Sequence, residues 1–427
     1  MRITTSRGEQ VSEEIFEGSK RILLIEPPFY NLFGYQRWHY PITLTLVGSF
    51  LKEMGHEVRI CDADKPLPSC KSYSRTQARD NYYQYALALE NDNHPSWKQI
   101  REEMINFNPD IIGLTSVTAK IDSADKISED IRKIFGKKVK VILGGPHAQG
   151  MRDSNPVHDF GNNYDFIVTF IPGLINRRPD KSLLLSNGAY SRKELSTILT
   201  STGCPYSCTY CCNSLFDKKV QFKDLRFVEE ELREIKESGE KVIVADDSFF
   251  SYTRRFHEIG RLFNDLGLNF DCDARINDLQ PQKIEEFMKN GGKKLSVGIE
   301  SGSQRVLDRI KKKITIEQIL SGSKLLNNFN IPWTAFFMVG FPFETLDDLK
   351  ITEEIIYKTQ PTFASINKFT PYPGTDLWKE YYSDSRLRFR DLFQLTDKNV
   401  TMLSDEMIEY IDSMLLRFDK YNSEKAK

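Results

Sequence analysis

Short β-type runs alternate with amphipathic helical runs along almost the whole chain, and the alternation pauses once and then restarts. Arg21 to Ile25 (RILLI) reads as a buried strand stopped by Glu26-Pro27-Pro28. Ile42 to Met54 reads as a helix ended by Gly55, and Glu57 to Cys61 (EVRIC) as the next strand. Residues 63–95 are polar and irregular, an insertion with one expected helix. Trp97 to Asn106 is helical and Asp110 to Leu114 a strand. Ala124, Ile127, Ile131, Ile134 and Phe135 then mark one helical face before the strand Val139 to Leu143. A last short strand is Phe166 to Thr169. Such alternation predicts a parallel sheet with helices on both faces. Ligands of open sheets sit beyond the carboxyl ends of the strands. Pro27, Pro28, Thr115, Ser116, Gly144, Gly145, Pro146 and His147 lie at that edge.

Residues 171–195, with prolines, Asn, Gly and paired arginines, read as a linker. Six more candidate strands follow, near 197–201, 241–245, 270–274, 295–299, 333–339 and 363–368. Six β/α units predict a partial barrel rather than the closed ring of eight. The expected fold is therefore α/β: a Rossmann-like doubly wound parallel sheet over 1–180, then a partial (β/α)6 barrel over 190–395. A helical C-terminal tail is expected over 396–427.

Hydrophobic residues make up 40% of the 427 positions and charged residues 28%, with a formal net charge of −1. That balance suits a soluble globular chain and gives no electrostatic reason to expect nucleic acid or an anionic membrane as partner. Met1 to Gln10 is polar, without the apolar core of a signal peptide. No window approaches the roughly 18 uninterrupted apolar residues of a spanning helix. A cytoplasmic location is expected.

Four of the seven cysteines fall within nine residues, in Ser201-Thr-Gly-Cys204-Pro-Tyr-Ser-Cys208-Thr-Tyr-Cys211-Cys212. In a reducing compartment such crowding points to metal ligation rather than disulfides. Thiolates at C-x3-C-x2-C spacing can bind three irons of a 4Fe–4S cubane from one loop, leaving the fourth iron open. A zinc site or unrelated buried cysteines are the alternatives. Zinc usually takes paired C-x2-C units with a further Cys or His pair, and none is evident downstream. Cys212 would point elsewhere on the loop, and Cys272 reads as a small core residue.

This segment resembles the signature loop of the radical S-adenosylmethionine superfamily, which implies Cys204, Cys208 and Cys211 as cluster ligands. The same resemblance places Tyr210 against the adenine of S-adenosylmethionine. Further segments resemble one large branch of that superfamily. Ala245-Asp246-Asp247-Ser248-Phe249 stands where the methionine amino group is contacted, and Gly298-Ile299-Glu300-Ser301-Gly302-Ser303 where the ribose is held. Gly340-Phe341-Pro342-Phe343-Glu344-Thr345 and Pro371-Tyr372-Pro373-Gly374-Thr375 follow in the same order. Asp246, Asp247, Glu300 and Ser301 are thereby implied as contacts of S-adenosylmethionine.

The N-terminal half is similar to the cobalamin-binding domain that precedes the barrel in this branch. The matching features are Pro27-Pro28, Asp62 after its strand, Pro109 to Leu114 and Gly144-Gly145-Pro146-His147-Ala148. Thr115, Ser116, Gly144, Gly145 and His147 are the implied cobalamin contacts. The D-x-H-x-x-G loop with a cobalt-ligating histidine is absent. Phe170-Ile171-Pro172-Gly173 stands where an acidic Gly-Glu-Gly-Glu segment is usual. The resemblance implies a cobalamin-dependent methyltransferase acting on a small molecule. One S-adenosylmethionine would supply the methyl group through cobalamin, and a second would be cleaved to a 5′-deoxyadenosyl radical. An electron donor such as flavodoxin or ferredoxin is implied as partner. Two alternatives remain: a cobalamin-independent radical rearrangement, cyclisation or oxidation, and a non-catalytic sensor. Tyr252, Arg275, Asn277, Trp333 and Tyr372 lie near strand ends and are candidate pocket residues.

Overall fold

The computed structural model describes residues 2–5, 10, 13–35, 37, 39–65, 75–152, 163–185, 190–215, 219–239, 241–383, 387–393 and 402–425. The chain forms two compact units, Met1–Leu195 with Pro371–Lys398, and Ser196–Thr370 with Asn399–Lys427. Cys70 lies outside the described residues.

The first unit is built on six strands: β1 (Arg2–Thr5), β2 (Arg21–Glu26), β3 (Glu57–Asp62), β4 (Ile111–Thr115), β5 (Lys140–Gly144) and β6 (Phe166–Phe170). Their order is β1-β6-β5-β4-β2-β3, with β1 antiparallel to β6 and the other pairs parallel. The five parallel strands thus follow the doubly wound order 2-1-3-4-5, which reverses between β2 and β4. Ile22 to Ile25 are buried one after another, as a strand covered on both faces requires. The helix Ile121–Phe135 buries Ile121, Ala124, Ile127 and Ile131 on one face and ends at Gly136, whose φ is 61°. Each of these three isoleucines contributes about 1.5–3 kcal/mol by leaving water.

Three features differ from expectation. The insertion carries two helices, Arg75–Asp80 and Tyr83–Glu90, held inward by buried Tyr82 and Tyr85. The linker contains a short helix, Ser182–Leu185, with Leu183 and Leu184 buried. Residues 371–393, expected at the end of the barrel, pack with the first unit. There Phe393 meets Phe29, Tyr30, Phe33 and Tyr82 at ring separations of 4.9, 5.8, 6.1 and 5.6 Å. The Tyr82 hydroxyl also donates to the Arg390 carbonyl at 2.5 Å.

The second unit contains β7 (Thr197–Ile198), β8 (Ser201–Thr202), β9 (Gln221–Phe222), β10 (Val242–Val244), β11 (Phe270–Arg275), β12 (Gly292–Glu300), β13 (Trp333–Val339) and β14 (Phe363–Lys368). Six of them form a parallel sheet in the order β14-β13-β12-β11-β10-β7, and β8 pairs antiparallel with β9. Sequence order without reversal means that every right-handed crossover steps the same way. All crossing helices then lie on one face, and the sheet curls as a partial barrel. The helices are sharply capped. Asp224 accepts from the Arg226 N–H, while Thr315 and Thr345 form capping boxes with Gln318 and Asp348.

The expected tail is part of this unit. Helix Asp405–Lys425 lies along β14, and the Asn422 amide exchanges two 2.8 Å hydrogen bonds with the Ala364 backbone. That pairing satisfies peptide groups which an edge strand would otherwise expose. Arg417 grips both Glu353 oxygens at 2.7 Å. No helix among the described residues is long and apolar enough to cross a membrane.

Candidate active site

The cysteine loop is the connection of the β8–β9 hairpin, at the carboxyl end of β7. Strand β7 stops at Ile198 because the next peptide groups are taken by Asp246. Its carboxylate accepts from the Thr200 N–H at 2.6 Å, the Thr200 hydroxyl at 2.5 Å and the Ser201 hydroxyl at 2.7 Å. Behind the hairpin, Lys223 and Glu231 form a wholly buried ion pair at 2.5 Å, and Arg255 donates to the Thr200 and Lys223 carbonyls. The base of the loop is therefore fixed by side chains remote from the thiols.

Within the loop Cys208 is buried while Cys204, Cys211 and Cys212 are half-buried. The Cys211 N–H donates to the Cys208 carbonyl at 3.2 Å, and the Thr209 N–H to the Ile310 carbonyl at 3.0 Å. The thiols share one space. Burial pushes the Cys204 thiol up, and the neighbouring charges of Cys211, Asp247 and Cys208 push it further. A hydrogen bond between the Cys211 and Cys212 thiols, followed by burial, raises Cys211, so Cys212 turns towards its neighbour rather than elsewhere on the loop as expected. Among the described residues no three of His, Cys, Asp and Glu converge on one point as a single ion requires. A cubane asks for something else, one thiolate on each of three separate irons. Three thiols around a common space fit that demand.

Tyr210, Asp247 and Glu300 surround the same cysteines. Tyr210 packs edge-on against Phe341 with ring centroids 6.1 Å apart, and its hydroxyl faces the Glu300 carboxylate. Asp247 is exposed and accepts from the Asn213 amide at 2.8 Å. Glu300 ends β12 at a φ of 72°, beyond a register shift against β13. A side chain held in the left-handed region costs free energy and persists only where its surroundings enforce it. Lys312 does so here through a buried 2.7 Å ion pair with Glu300. Gly298 makes room for the pair, since a Cβ there would lie 2.8 Å from Glu300 Oε1 and 2.9 Å from Lys312 Nζ.

Two of the implied contacts face the scaffold instead. Asp246 is occupied by Thr200 and Ser201 as described. Ser301, fully buried, meets the Thr352 hydroxyl at 3.1 Å and accepts from the Ser303 N–H at 3.1 Å. Both carry short polar side chains at strand ends, where a brace and a ligand contact look alike in sequence. Trp333 is likewise core, its indole N–H donating to Asn327 at 2.9 Å. Asn277 accepts from the Arg275 guanidinium at 3.4 Å, and Tyr252 packs on Phe222. Tyr372 belongs to the first unit, where its carbonyl accepts from Thr375. Lys312 escaped sequence reasoning because Lys311-Lys312-Lys313 reads as a solvated run; only its burial singles out the middle residue.

At the carboxyl edge of the first sheet, Thr115, Ser116, Gly144, Gly145 and His147 converge. Gly145 has a φ of 98°, and a Cβ there would lie 2.6 Å from the Ser116 carbonyl. The Ser116 N–H donates to the Gly144 carbonyl, and the Ser116 carbonyl accepts from the His147 N–H. His147 is buried, with Nδ1 3.3 Å from the Thr118 hydroxyl and Phe389 edge-on at 4.9 Å. In this position it braces the turn. Thr115 and the run Gly144-Gly145-Pro146 stay half-exposed, presenting peptide groups and one hydroxyl. The polar atoms at this edge are of the kind that can meet the amide groups rimming the corrin of cobalamin. Beside it, at the ends of β2 and β3, Lys120 is buried between Glu26 and Asp64, while Arg37 pairs with Asp62 and Glu26.

Two families match the chain: the Radical SAM superfamily over residues 198–355 and the B12 binding domain over residues 35–162. An uncharacterized methyltransferase of Pyrococcus horikoshii is 29% identical over 332 residues, which is 66% of this chain and 72% of that protein. The anaerobic magnesium-protoporphyrin IX monomethyl ester cyclase of Rubrivivax gelatinosus is 24% identical; the chain spans 62% of its length, and 69% of the chain is matched. Among solved structures, the radical S-adenosylmethionine methyltransferase TsrM from Kitasatospora setae aligns at a TM-score of 0.62 and 14% identity, covering 84% of this chain and 75% of its own. The cobalamin-dependent radical enzyme OxsB aligns at 0.56 and 15%, covering 95% of this chain and 62% of its own. The chain thus carries a Radical SAM superfamily domain over residues 198–355 behind a B12 binding domain over residues 35–162, and its cofactors are a 4Fe–4S cluster, S-adenosylmethionine and cobalamin.

Proposed function

We propose that the chain is a methyltransferase acting on a small molecule, with Cys204, Cys208 and Cys211 holding the cluster. Tyr210, Asp247 and Glu300 bind S-adenosylmethionine, and Thr115 with the Gly144-Gly145 turn seats cobalamin. When bound, these groups supply an electron that breaks a carbon–sulfur bond and a carrier for the methyl group. The chain's own residues bind and orient. Tyr210 and Phe341 offer an aromatic corner for a purine, and Glu300 offers a carboxylate for ribose hydroxyls. Asp247 offers a second carboxylate for the ammonium group. The observation that carries this reading is the grouping of three thiols with Tyr210 and the Glu300–Lys312 pair around one space.

A net charge of −1 supports a small molecule over nucleic acid as substrate. A flavodoxin- or ferredoxin-like protein is the electron donor on this reading. Similarity to a cyclase favours ring closure as a second reading. The test is to purify the chain without oxygen, reconstitute iron, sulfide and hydroxocobalamin, reduce it, and add S-adenosylmethionine. Formation of 5′-deoxyadenosine together with S-adenosylhomocysteine supports methyl transfer. Deoxyadenosine alone favours the second reading, and neither product refutes both.

A further inference from the structure

Arg275, the last residue of β11, is buried to 9% exposure and has no carboxylate partner among the described residues. Each of its three nitrogens donates to a neutral group or to sulfur. One terminal nitrogen donates to the Lys312 carbonyl, Nε to the Asn277 amide oxygen, and the other terminal nitrogen to Cys208 Sγ at 3.9 Å. The guanidinium carbon sits 3.6 Å from the centre of the Tyr206 ring. Tyr206 lies between Cys204 and Cys208, so the charge is clamped against the cysteine loop.

An arginine stays protonated at any ordinary pH. A buried charge without a counter-ion is expensive, and a neutral carbonyl and an aromatic face recover only part of that cost. The Cys208 sulfur is the one group in contact able to supply the missing negative charge, which it would do as an iron-bound thiolate.

We propose that Arg275 is a positioning residue for the cluster, the built-in counter-ion that raises its reduction potential through Cys208. The inference rests on the reading of Cys208 as a cluster ligand. Reduction brings one electron from an external low-potential donor and makes the cluster with its thiolates one charge more negative. A fixed positive charge and an N–H directed at a ligand sulfur stabilise that state over the oxidised one. The same guanidinium binds the Lys312 carbonyl, and Lys312 binds Glu300. The residue that tunes the cluster is thereby tied to the residue proposed to hold the ribose.

The experiment is a reductive titration of the full chain, followed by electron paramagnetic resonance after anaerobic reconstitution, with iron counted in each sample. Arg275→Gln removes the charge while keeping an N–H donor, and the expected result is wild-type iron with a more negative midpoint potential. Arg275→Lys titrates between the two. Should Arg275→Gln not load, Tyr206→Leu loosens the clamp with the arginine retained, and a smaller shift in the same direction is expected. A loaded Arg275→Gln chain, or in its place Tyr206→Leu, titrating at or above the wild-type potential overturns the proposal. Full iron and an unchanged resonance spectrum in Cys208→Ala overturn the ligand reading instead. A wild-type chain that binds no iron removes both.

Discussion

The Lys312 ammonium lies 2.7 Å from the Glu300 carboxylate, with both side chains buried and Glu300 in left-handed backbone. One ion pair thus fixes a strained strand end beside the cysteine loop. Removing one partner leaves the other buried and uncompensated. Lys312→Met is expected to cost about 3–5 kcal/mol of stability, read as a lower urea midpoint. Gly298→Ala, whose Cβ would push into both charged groups, is expected to weaken S-adenosylmethionine binding while the iron content holds. Unchanged affinity in Gly298→Ala would argue that the pair does not shape that site.

Asp246 and Asp247 are adjacent in sequence but separate in task. Asp246→Asn replaces an acceptor of three hydrogen bonds by a group with one acceptor oxygen, at a cost of about 1–3 kcal/mol. Lower thermal stability and poorer cluster loading are expected. Asp247→Asn should leave folding and iron unchanged and weaken S-adenosylmethionine binding, as isothermal titration would measure. The reverse pattern would exchange the two roles.

Glu344 gives the barrel unit a pH dependence. One carboxylate oxygen accepts from the Gly340 N–H at 2.6 Å and the Phe341 N–H at 3.1 Å, and burial pushes the carboxyl up to about 8 from 4.5. Between those values the folded chain keeps a proton that the unfolded chain releases. Stability is therefore fully present below 4.5 and falls as pH rises towards 8. Asp348 does not interfere in this window. Burial opposes its ionisation, but hydrogen bonds from Arg305, Ser303 and Thr345 hold it down at about 2. Glu344→Gln keeps one acceptor oxygen and cannot ionise, so it should flatten the curve. Urea midpoints at about pH 5 and about pH 8 decide the matter, and equal slopes in wild type and variant would refute it.

Much of the framework was legible in sequence. Strands β13 and β14 fall on 333–339 and 363–368 as read, because each is a bounded run of largely apolar residues. β7 was read as 197–201 yet splits at Ile198, since Asp246, 46 residues beyond Thr200, takes the peptide and hydroxyl groups that follow. β1 (RITT) and β9 (QF) carry no apolar pattern, and only their pairing with distant strands makes them strands. The cysteine spacing spoke for itself. Which of two neighbouring carboxylates faces the thiols, and which of three lysines is buried, depends on tertiary partners that no local pattern encodes.

The central claim is that one cluster rests on Cys204, Cys208 and Cys211. Iron and acid-labile sulfide, counted after anaerobic reconstitution, test it most directly in wild type, in the three single alanine variants and in Cys212→Ala. The account predicts about four irons per chain in wild type and in Cys212→Ala, with loss in each of the other three. Full iron in Cys204→Ala, Cys208→Ala and Cys211→Ala, or loss confined to Cys212→Ala, would contradict it.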